Sequence, residues 1–528
     1  MVENAKATYL ELASQRFSFL TRARDCAELT IPTLVPPEGH SYATKYYTPF
    51  QGVGARGVNN LASKLLMALL PPNQPFFRMA VDSYLLKKQG GDDTLKTELE
   101  KALGEVERAV MTEVETSAVR VGAFEALKHL IVSGNALIYV PDAGGMRVFR
   151  MDSYVVKRDP SGNVLYLVTK ESMSPSALPK EIRELIQKSD SSSNEKTLEL
   201  YTAISREVDH WAIYQEINGM RIPGTIGKYA LDKNPYIPLR YNRIDGEDYG
   251  RGFVEEYFGD LRSLEALTQA IVEGSAAAAK VLFLVNPNGS TRAKTLAETS
   301  NGGFASGNAA DVTTLQIQKF NDFRVAQDTA NQITQRLSFA FLLNSSVQRD
   351  AERVTAEEVR FMAQELEAAL GGAYSVMSQE FQLPLVNRLM DRMSKRGRLP
   401  KLPKDIVSPM IVTGVEALGR GNDLNKLDMF VGGVGQILGP DILSQFVNIG
   451  DYLKRRATAI GISTDGLIKS EEEIAQSVQQ DQMQMMLQQL GPQGIKAISD
   501  NLVASQKTGA LQQAMQQGQP QAQPQQQQ

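Results

Sequence analysis

The spacing of apolar residues changes period twice along the chain. Over 4–28 it predicts an amphipathic helix, with Tyr9, Leu12, Phe17, Leu20 and Ala27 on one stripe. Over 55–70, Val58, Leu61, Leu65 and Leu69 recur at helical spacing until Pro71 and Pro72 end the run. Two more helices are expected. One covers about 93–117, with Leu99, Leu103, Val106, Val110 and Val114 inward; the other covers about 121–134 and stops at Gly134. The period then falls to two. "ALIYV", "MRVFRM", "SYVVKR" and "NVLYLVTK" read as strands, with "DPSGN" at 159–163 as a turn. A short helix near 178–188 leads to a serine-rich loop. Strands resume at "LELYTAIS" and "HWAIYQEI", Asn218-Gly219 is a strong hairpin signal, and "YIPLRYNRI" closes the region near 244.

From about 252 the helical period returns. A helix over about 256–284 carries Tyr257, Leu261, Leu264, Leu267, Ile271, Ala278 and Leu282. A segment at about 286–322 with Gly, Asn and Thr interrupts it. A second helix, about 324–343, has Val325, Ile333, Leu337 and Phe341 inward. After the charged loop "NSSVQRDAERV", a helical pattern runs from Ala356 to about Lys395. Thr355 and Glu358 form a capping box at its start, and Gly371, Gly372 and Pro384 should bend it. Some 40 residues at ~1.5 Å each give about 60 Å, longer than a small domain is wide. A further helical region covers about 420–505, where "SEEEIAQ" reads as an acid-rich first turn. The tail 506–528 is low-complexity Gln and Pro and is expected to be disordered.

Composition narrows the function. The chain has 528 residues, and 42% hydrophobic with 22% charged residues is ordinary for a globular protein, so several domains or one elaborated core are expected. A net charge of −4 argues against a protein that grips nucleic acid over a broad basic surface. Contact with DNA would have to be local or weak. One cysteine, Cys26, excludes an intrachain disulfide. His40, His129 and His210 are scattered, so no metal site is expected. The first 25 residues carry early acids and no apolar core segment, unlike a secretory signal. The longest apolar run, "AAAAKVLFLV", is too short to span a bilayer and contains Lys280. A soluble protein of a reducing compartment is expected.

Catalytic motifs are sparse. Gly52, Gly54 and Gly57 in "FQGVGARGVNN" form a G-x-G-x-x-G, the spacing that cradles a pyrophosphate when it closes a strand and opens a helix. Here "SYATKYYTPFQ" precedes it, with Pro49 and no Val, Ile or Leu run, and Asp82 comes late for the ribose acid. A glycine-rich lead-in to a core helix fits this context better. The sequence has no G-x-x-x-x-G-K-[ST], G-x-S-x-G or H-E-x-x-H. Asn288-Gly289-Ser290 and Asn344-Ser345-Ser346 are glycosylation sequons only on a secretory route. No catalytic, cofactor or metal-binding residues are assigned, and a large chain without evident chemistry points to assembly.

"GARGVNNLASKLLMALLPP" resembles the N-terminal helix region of portal proteins, the head-to-tail connectors, of T-seven-group short-tailed phages (podoviruses). In the same order follow "FEALKHLIVSGNALIYVP", "SYVVKRDPSGNVL", "YIPLRYNRIDGEDYGRGFVEEYFGDLRSLEALTQAIV", "RLSFAFLLNSSVQRDAERVTAEEVRFMAQELEAALGGAYSVMSQEFQLPLV" and "TGVEALGRGNDLNKL". The resemblance covers roughly residues 5–470. It implies a mainly helical α+β portal fold that assembles as a ring, usually of twelve, around a channel at one capsid vertex. Residues 1–250 resemble the wing, and 251–285 and 323–343 the paired stem helices. Residues 286–322 between them resemble the clip, 344–354 the tunnel loop, 355–415 the long kinked helix with its following segment, and 416–505 the crown. Double-stranded DNA would pass the channel during packaging and ejection.

The partners implied are the terminase large subunit and later the tail adaptor or nozzle proteins at the clip, the major capsid and scaffolding proteins, and internal core proteins at the crown. Assembly in the host cytoplasm into the virion is implied. In the tunnel-loop segment, Gln348, Arg349, Asp350, Glu352 and Arg353 are the candidates to meet DNA. In a ring each arginine becomes a positive belt, and mixed signs would let phosphates pass without being held. Arg349 and Arg353 either touch phosphate transiently or pair with Asp350, Glu352 or a neighbouring copy. Arg292, Lys294 and Lys319 are the clip candidates for motor or adaptor contact, against the plain reading of solvated surface charge. A tail or adaptor protein without a DNA channel, or a dinucleotide enzyme resting on the three glycines, are the competing readings.

Overall fold

The first helix, α1 (Ala5–Glu28), starts where Asn4 Oδ1 accepts the Ala7 N–H at 2.8 Å. Its buried positions, Tyr9, Leu12, Arg16, Leu20, Ala23 and Ala27, keep helical spacing. Phe17, expected on this stripe, is instead exposed. Arg16 takes the inward place because its guanidinium donates to the carbonyl oxygens of Met151, at 2.7 Å, and Tyr154. The computed structural model describes residues 4–72, 75–81, 88, 93–180, 182–184, 197–279, 282–315, 320–343, 365–366, 370, 372–400, 407–411, 428–437, 447, 449–450, 452–453 and 456.

The chain forms two compact units, residues 1–419 and 420–528. In the first, α2 (Val53–Leu69) lies at the centre of the core: Val58, Leu61, Leu65 and Leu69 are fully buried. After it come β1 (Phe77–Val81), α3 (Asp93–Thr116) and α4 (Val119–Ser133). Gly134 ends α4 in the left-handed region at φ 72° and returns its N–H to Leu130 O, as its place after the last periodic residue predicts.

The strands are β2 (Asn135–Tyr139), β3 (Arg147–Phe149), β4 (Tyr154–Arg158), β5 (Val164–Met173), β6 (Leu198–Arg206), β7 (His210–Ile217), β8 (Met220–Arg221), β9 (Gly227–Ala230) and β10 (Tyr236–Arg240). An antiparallel sheet runs β4-β5-β6-β7-β8, with β9 also on β7; a smaller one runs β10-β2-β3. Asn218 and Gly219, at φ 49° and 78°, make the β7–β8 turn that their pairing predicts. One face of the larger sheet packs on α1 through Tyr9, Leu12, Val155, Val168 and Tyr201.

Next come α5 (Phe253–Glu256), α6 (Phe258–Ala278), β11 (Leu282–Val285), α7 (Ala293–Glu298), β12 (Val312–Leu315) and α8 (Phe320–Ala340). The single helix expected over 256–284 therefore stops at Ala278. Leu282 belongs to a strand, because the run Leu-Phe-Leu-Val pairs with β12 in register Leu282↔Leu315. Then follow α9 (Gly372–Met377), a π-helical turn at Ser378–Gln382, α10 (Leu383–Lys395) and β13 (Val407–Ile411). The π-helical turn falls just ahead of Pro384, which has no N–H to continue the ladder. Pairing of β13 with β1 (Phe77↔Ile411) joins distant segments that the sequence pattern did not mark as strands.

Buried charge fastens α10. Arg388 donates to Val140 O at 2.9 Å, Asp142 at 2.7 Å and Asp391 at 3.0 Å. Arg392 donates to Glu113 at 2.7 Å and Ser117 Oγ at 2.7 Å. The Glu113 carboxyl is pushed up by burial, but the Ser117 hydroxyl and the Arg392 and Arg398 guanidiniums more than reverse this and hold it below its ordinary range. In the second unit, the described stretch 428–437 is helical, and Tyr452 Oη donates to Asp428 at 2.6 Å. Among the described residues no helix is long and apolar enough to cross a membrane, and no group of His, Cys, Asp and Glu could hold a metal ion. The capping box at Thr355, the acidic run near 470 and the tail 506–528 lie outside the described residues.

Candidate functional site

The three glycines open α2 at its packed end. Gly52 is the N-cap residue, and Gly54 and Gly57 lie in the first two turns. A Cβ on Gly54 would stand 2.5 Å from Leu29 O, and one on Gly57 would stand 2.6 Å from Cγ of Phe341. The close approach these glycines allow is to the chain's own backbone and to a core phenylalanine. The residues just ahead of them, from Ser41 to Gln51, form no strand.

Further along, α2 holds the end of α8. Asn60 Nδ2 donates to the carbonyls of Phe341 and Leu342 at 3.0 and 3.1 Å. Lys64 Nζ donates to Leu342 O at 3.1 Å and pairs with Glu365 at 3.4 Å. These bonds occupy carbonyls that the last turn of α8 leaves without intrahelical partners. At the other end of α2, Tyr374 Oη donates to Ala68 O at 3.1 Å and Gln382 Nε2 to Leu69 O at 2.5 Å. One core helix thus fixes the chain on both sides of the stretch 344–364.

The helices α6 and α8 are an antiparallel pair. Arg336 reaches Asp260 at 2.9 Å near one end, and the Phe323 ring lies against Gly274 near the other. Leu261 and Leu264 of α6 and Ile333 and Leu337 of α8 join the central core. Past Glu265, no side chain of α6 is buried. Val272 is 49% exposed, Val325 67% and Phe339 78%. Val325 was expected to face inward; it lies on the outer side of α8. A groove of about 1180 Å³ runs beside α8, lined by Tyr257, Thr329, Gln332, Ile333 and Phe339.

Beyond this pair, β11 and β12 form a two-stranded ribbon, and Phe283 and Leu284 on it are exposed. A lone two-stranded ribbon is only marginally stable in water. Of the clip candidates, Arg292 is exposed just ahead of α7, and Lys294 is almost fully exposed, 3.9 Å from Glu298. Asp311 ties the segment together by accepting the Thr291 N–H at 3.1 Å and Ser290 Oγ at 3.2 Å; these bonds hold its carboxyl below the usual range. Lys319, Gln348, Arg349, Asp350, Glu352 and Arg353 lie outside the described residues. Outward Phe339 of α8 and the exposed aromatics of the loop before α2 were not singled out from sequence. The signal available was an apolar residue off the main stripe, as at Phe339.

Comparisons with known proteins identify the family. The bacteriophage head to tail connecting protein family matches residues 2–468. The portal protein of Escherichia phage T7 is 44% identical over 92% of this chain and 91% of its own length. That of Enterobacteria phage T3 is 44% identical over 91% of each. That of Enterobacteria phage SP6 is 30% identical over 96% of each. Among solved structures, the neck of a native gene transfer agent particle is a distant likeness, with TM-score 0.33 and 11% identity over 78% of this chain and 90% of that one. With a family match over most of its length and relatives at 44% identity, the chain belongs to the bacteriophage head to tail connecting proteins, the portal proteins.

Proposed function

We propose that copies of this chain close into a ring, of twelve subunits, whose central channel passes double-stranded DNA during packaging and ejection. The observation that carries the ring is the α6–α8 pair. Past Glu265 no side chain of α6 is fully buried, yet the pair keeps Val272, Val325 and Phe339 outward. Apolar side chains on both flanks of a projecting helix pair are what a neighbouring copy on each side would cover.

In this reading 1–250 is the wing, 251–285 and 323–343 the stem, 286–322 the clip, 344–354 the tunnel loop, 355–415 the long kinked helix and 416–505 the crown. The exposed clip, with Arg292 and Lys294, is where the terminase large subunit and then the tail adaptor proteins dock. Arg349 and Arg353 meet passing phosphates. The ring occupies one capsid vertex, contacts capsid, scaffolding and internal core proteins, and nucleates procapsid assembly in the host cytoplasm.

Single-particle class averages viewed along the symmetry axis test this directly. Closed rings with an open centre support it. A monomer at every concentration, with or without scaffolding and capsid proteins, counts against it. Rings that protect no DNA from nuclease when taken from filling particles favour a tail component without a channel.

A further inference from the structure

Residues 39–51 form an arm rooted on α6. Tyr47 Oη donates to Glu265 at 2.6 Å, and the N–H groups of Phe50 and Gln51 donate to the same carboxylate at 2.9 and 3.1 Å. The Glu265 side chain is buried by these bonds. A local turn stiffens the tip, where the Ser41 N–H donates to Thr44 Oγ1 at 2.8 Å and the Thr44 N–H to Ser41 O at 3.0 Å. Although tied down, the arm presents its aromatics to solvent: Tyr42 is fully exposed, and Tyr47 and Phe50 are exposed.

The arm and the groove lie on opposite flanks of the helix pair. On α6, Asp260 and Gly274 face α8, and Glu265 lies about 140° around the helix from Asp260 at ~100° per residue. On α8, Phe323 faces α6, and Phe339 lies about 160° around from it. Arm and groove therefore open on different faces of the pair within one chain. They are the two halves of a head-to-tail contact, the kind that closes into rings.

Their heights also match. Contacts of Asp260 with Arg336 and of Gly274 with Phe323 set the register of the antiparallel pair. By that register Glu265, the root of the arm, stands level with Gln332 in the groove, and Val272 stands level with Val325. Rotation about an axis along the helix pair leaves height unchanged, so each element arrives at its counterpart on the next copy.

Charge agrees. Residues 39–51 contain Lys45 and no acid. The charges lining the groove are already paired, Arg336 with Asp260 at 2.9 Å and Glu365 with Lys64 at 3.4 Å; the outward stripe of α8 beside it, namely Val325, Asp328, Gln332, Gln335 and Phe339, carries one charge, Asp328, one turn from Gln332.

We infer that the 39–51 arm of one copy seats in the α8 groove of the next, with Lys45 toward Asp328, the aromatics against Phe339, and Val272 against Val325. The occupant is a second copy of this chain. This inference rests on the ring reading and names the lateral joint within it.

The test is cysteine cross-linking of the full chain. Cys26 is buried, so background labelling is low. Chains carrying Lys45→Cys alone and Asp328→Cys alone are mixed, assembled and treated with a short bis-maleimide. The expected product is a covalent dimer on denaturing gels, absent from either variant by itself. A double variant, Lys45→Cys with Asp328→Cys, should give a ladder of multimers. Rings by sedimentation without dimer or ladder overturn the joint and leave the ring standing. A wild-type chain that never sediments as an oligomer sinks both. As an independent readout, Phe339→Ser should weaken assembly about tenfold or more, as expected for an exposed phenylalanine that assembly buries. Emission of Trp211 in the folded chain should not change. Unaltered assembly would also overturn the inference.

Discussion

Replacing Gly57 with alanine tests why the glycine motif exists. In an ordinary mid-helix position this change stabilises by about 1 kcal/mol, because alanine loses less backbone entropy. At Gly57 the new methyl would stand 2.6 Å from Cγ of Phe341 and 2.9 Å from both Cδ atoms, where ordinary contact begins near ~3.4 Å. Cγ is the root of that side chain, so it cannot swing aside cheaply. Phe341 has no exposure and is packed edge-on against Phe253, with ring centres 5.4 Å apart. Overpacking of this kind costs about 1–3 kcal/mol, so after the helix gain a net loss of up to about 2 kcal/mol is expected. Gly104 supplies the control. It lies in α3 with nothing within 4 Å of a new Cβ, so Gly104→Ala should stabilise. The single tryptophan, Trp211, belongs to the same buried cluster as Phe341 and reports the urea transition by its emission. The pair Gly57→Ala with Phe341→Leu should lose less than the sum of the two single changes, since the smaller side chain makes room for the methyl. A Gly57→Ala protein as stabilised as Gly104→Ala, with additive behaviour at Phe341, would refute the packing argument.

Other expectations follow from the buried polar groups and the turns. Glu113→Gln should cost about 3–5 kcal/mol, read as a lower urea midpoint, because Arg392 stays buried without its counter-charge. Since the folded Glu113 pKa is below its unfolded value near ~4.3, its contribution is present above that pH and is lost as pH falls through the folded value. His129 is lowered to about 4 by burial and then by the Arg150 charge, so the folded chain binds this proton more weakly than the unfolded one. Stability should be complete above pH ~6.5 and fall by up to about 3 kcal/mol toward pH ~4, and His129→Met should remove that slope from a midpoint-versus-pH series. Gly219→Val should destabilise by about 1 kcal/mol or more, because φ 78° is strained for a β-branched side chain; circular-dichroism melting checks it. Glu265→Ala should free the 39–51 arm and raise its cleavage rate in limited proteolysis, while cleavage in β5–β6 stays unchanged.

What the sequence made legible depended on where each residue's partner sits. The alternation in "LELYTAIS" and "HWAIYQEI" and the Asn218-Gly219 pair located β6, β7 and their turns, because a strand with one core face writes that face into its own residues. Strands β1 and β13 were missed because their pairing partner is hundreds of positions away, and Pro409 inside β13 weakens its strand signal. In sequence Leu282–Val285 reads as the end of a helix, since a short apolar run fits either period and only its pairing with β12 decides. Arg16 looked polar and proved buried, because two carbonyl oxygens across the core receive its guanidinium. Val325 shows the reverse. An apolar residue near a core stripe looks the same in sequence whether its own chain or another copy is to cover it.

The three glycines carry the same lesson further. As G-x-G-x-x-G they were ambiguous, and the missing strand before them argued only against one use. The positive reason comes from Phe341, at the end of α8, and from Leu29 O, at the end of α1; neither is near α2 in sequence. Because Gly57 admits that ring, α8 can end against α2. There Asn60 and Lys64 donate to its last carbonyls, and the chain leaves toward 344–354 from a fixed point. A larger residue at 57 would move the origin of that segment. The small side chain at 57 is therefore a condition on where α8 ends as well as on how the core packs.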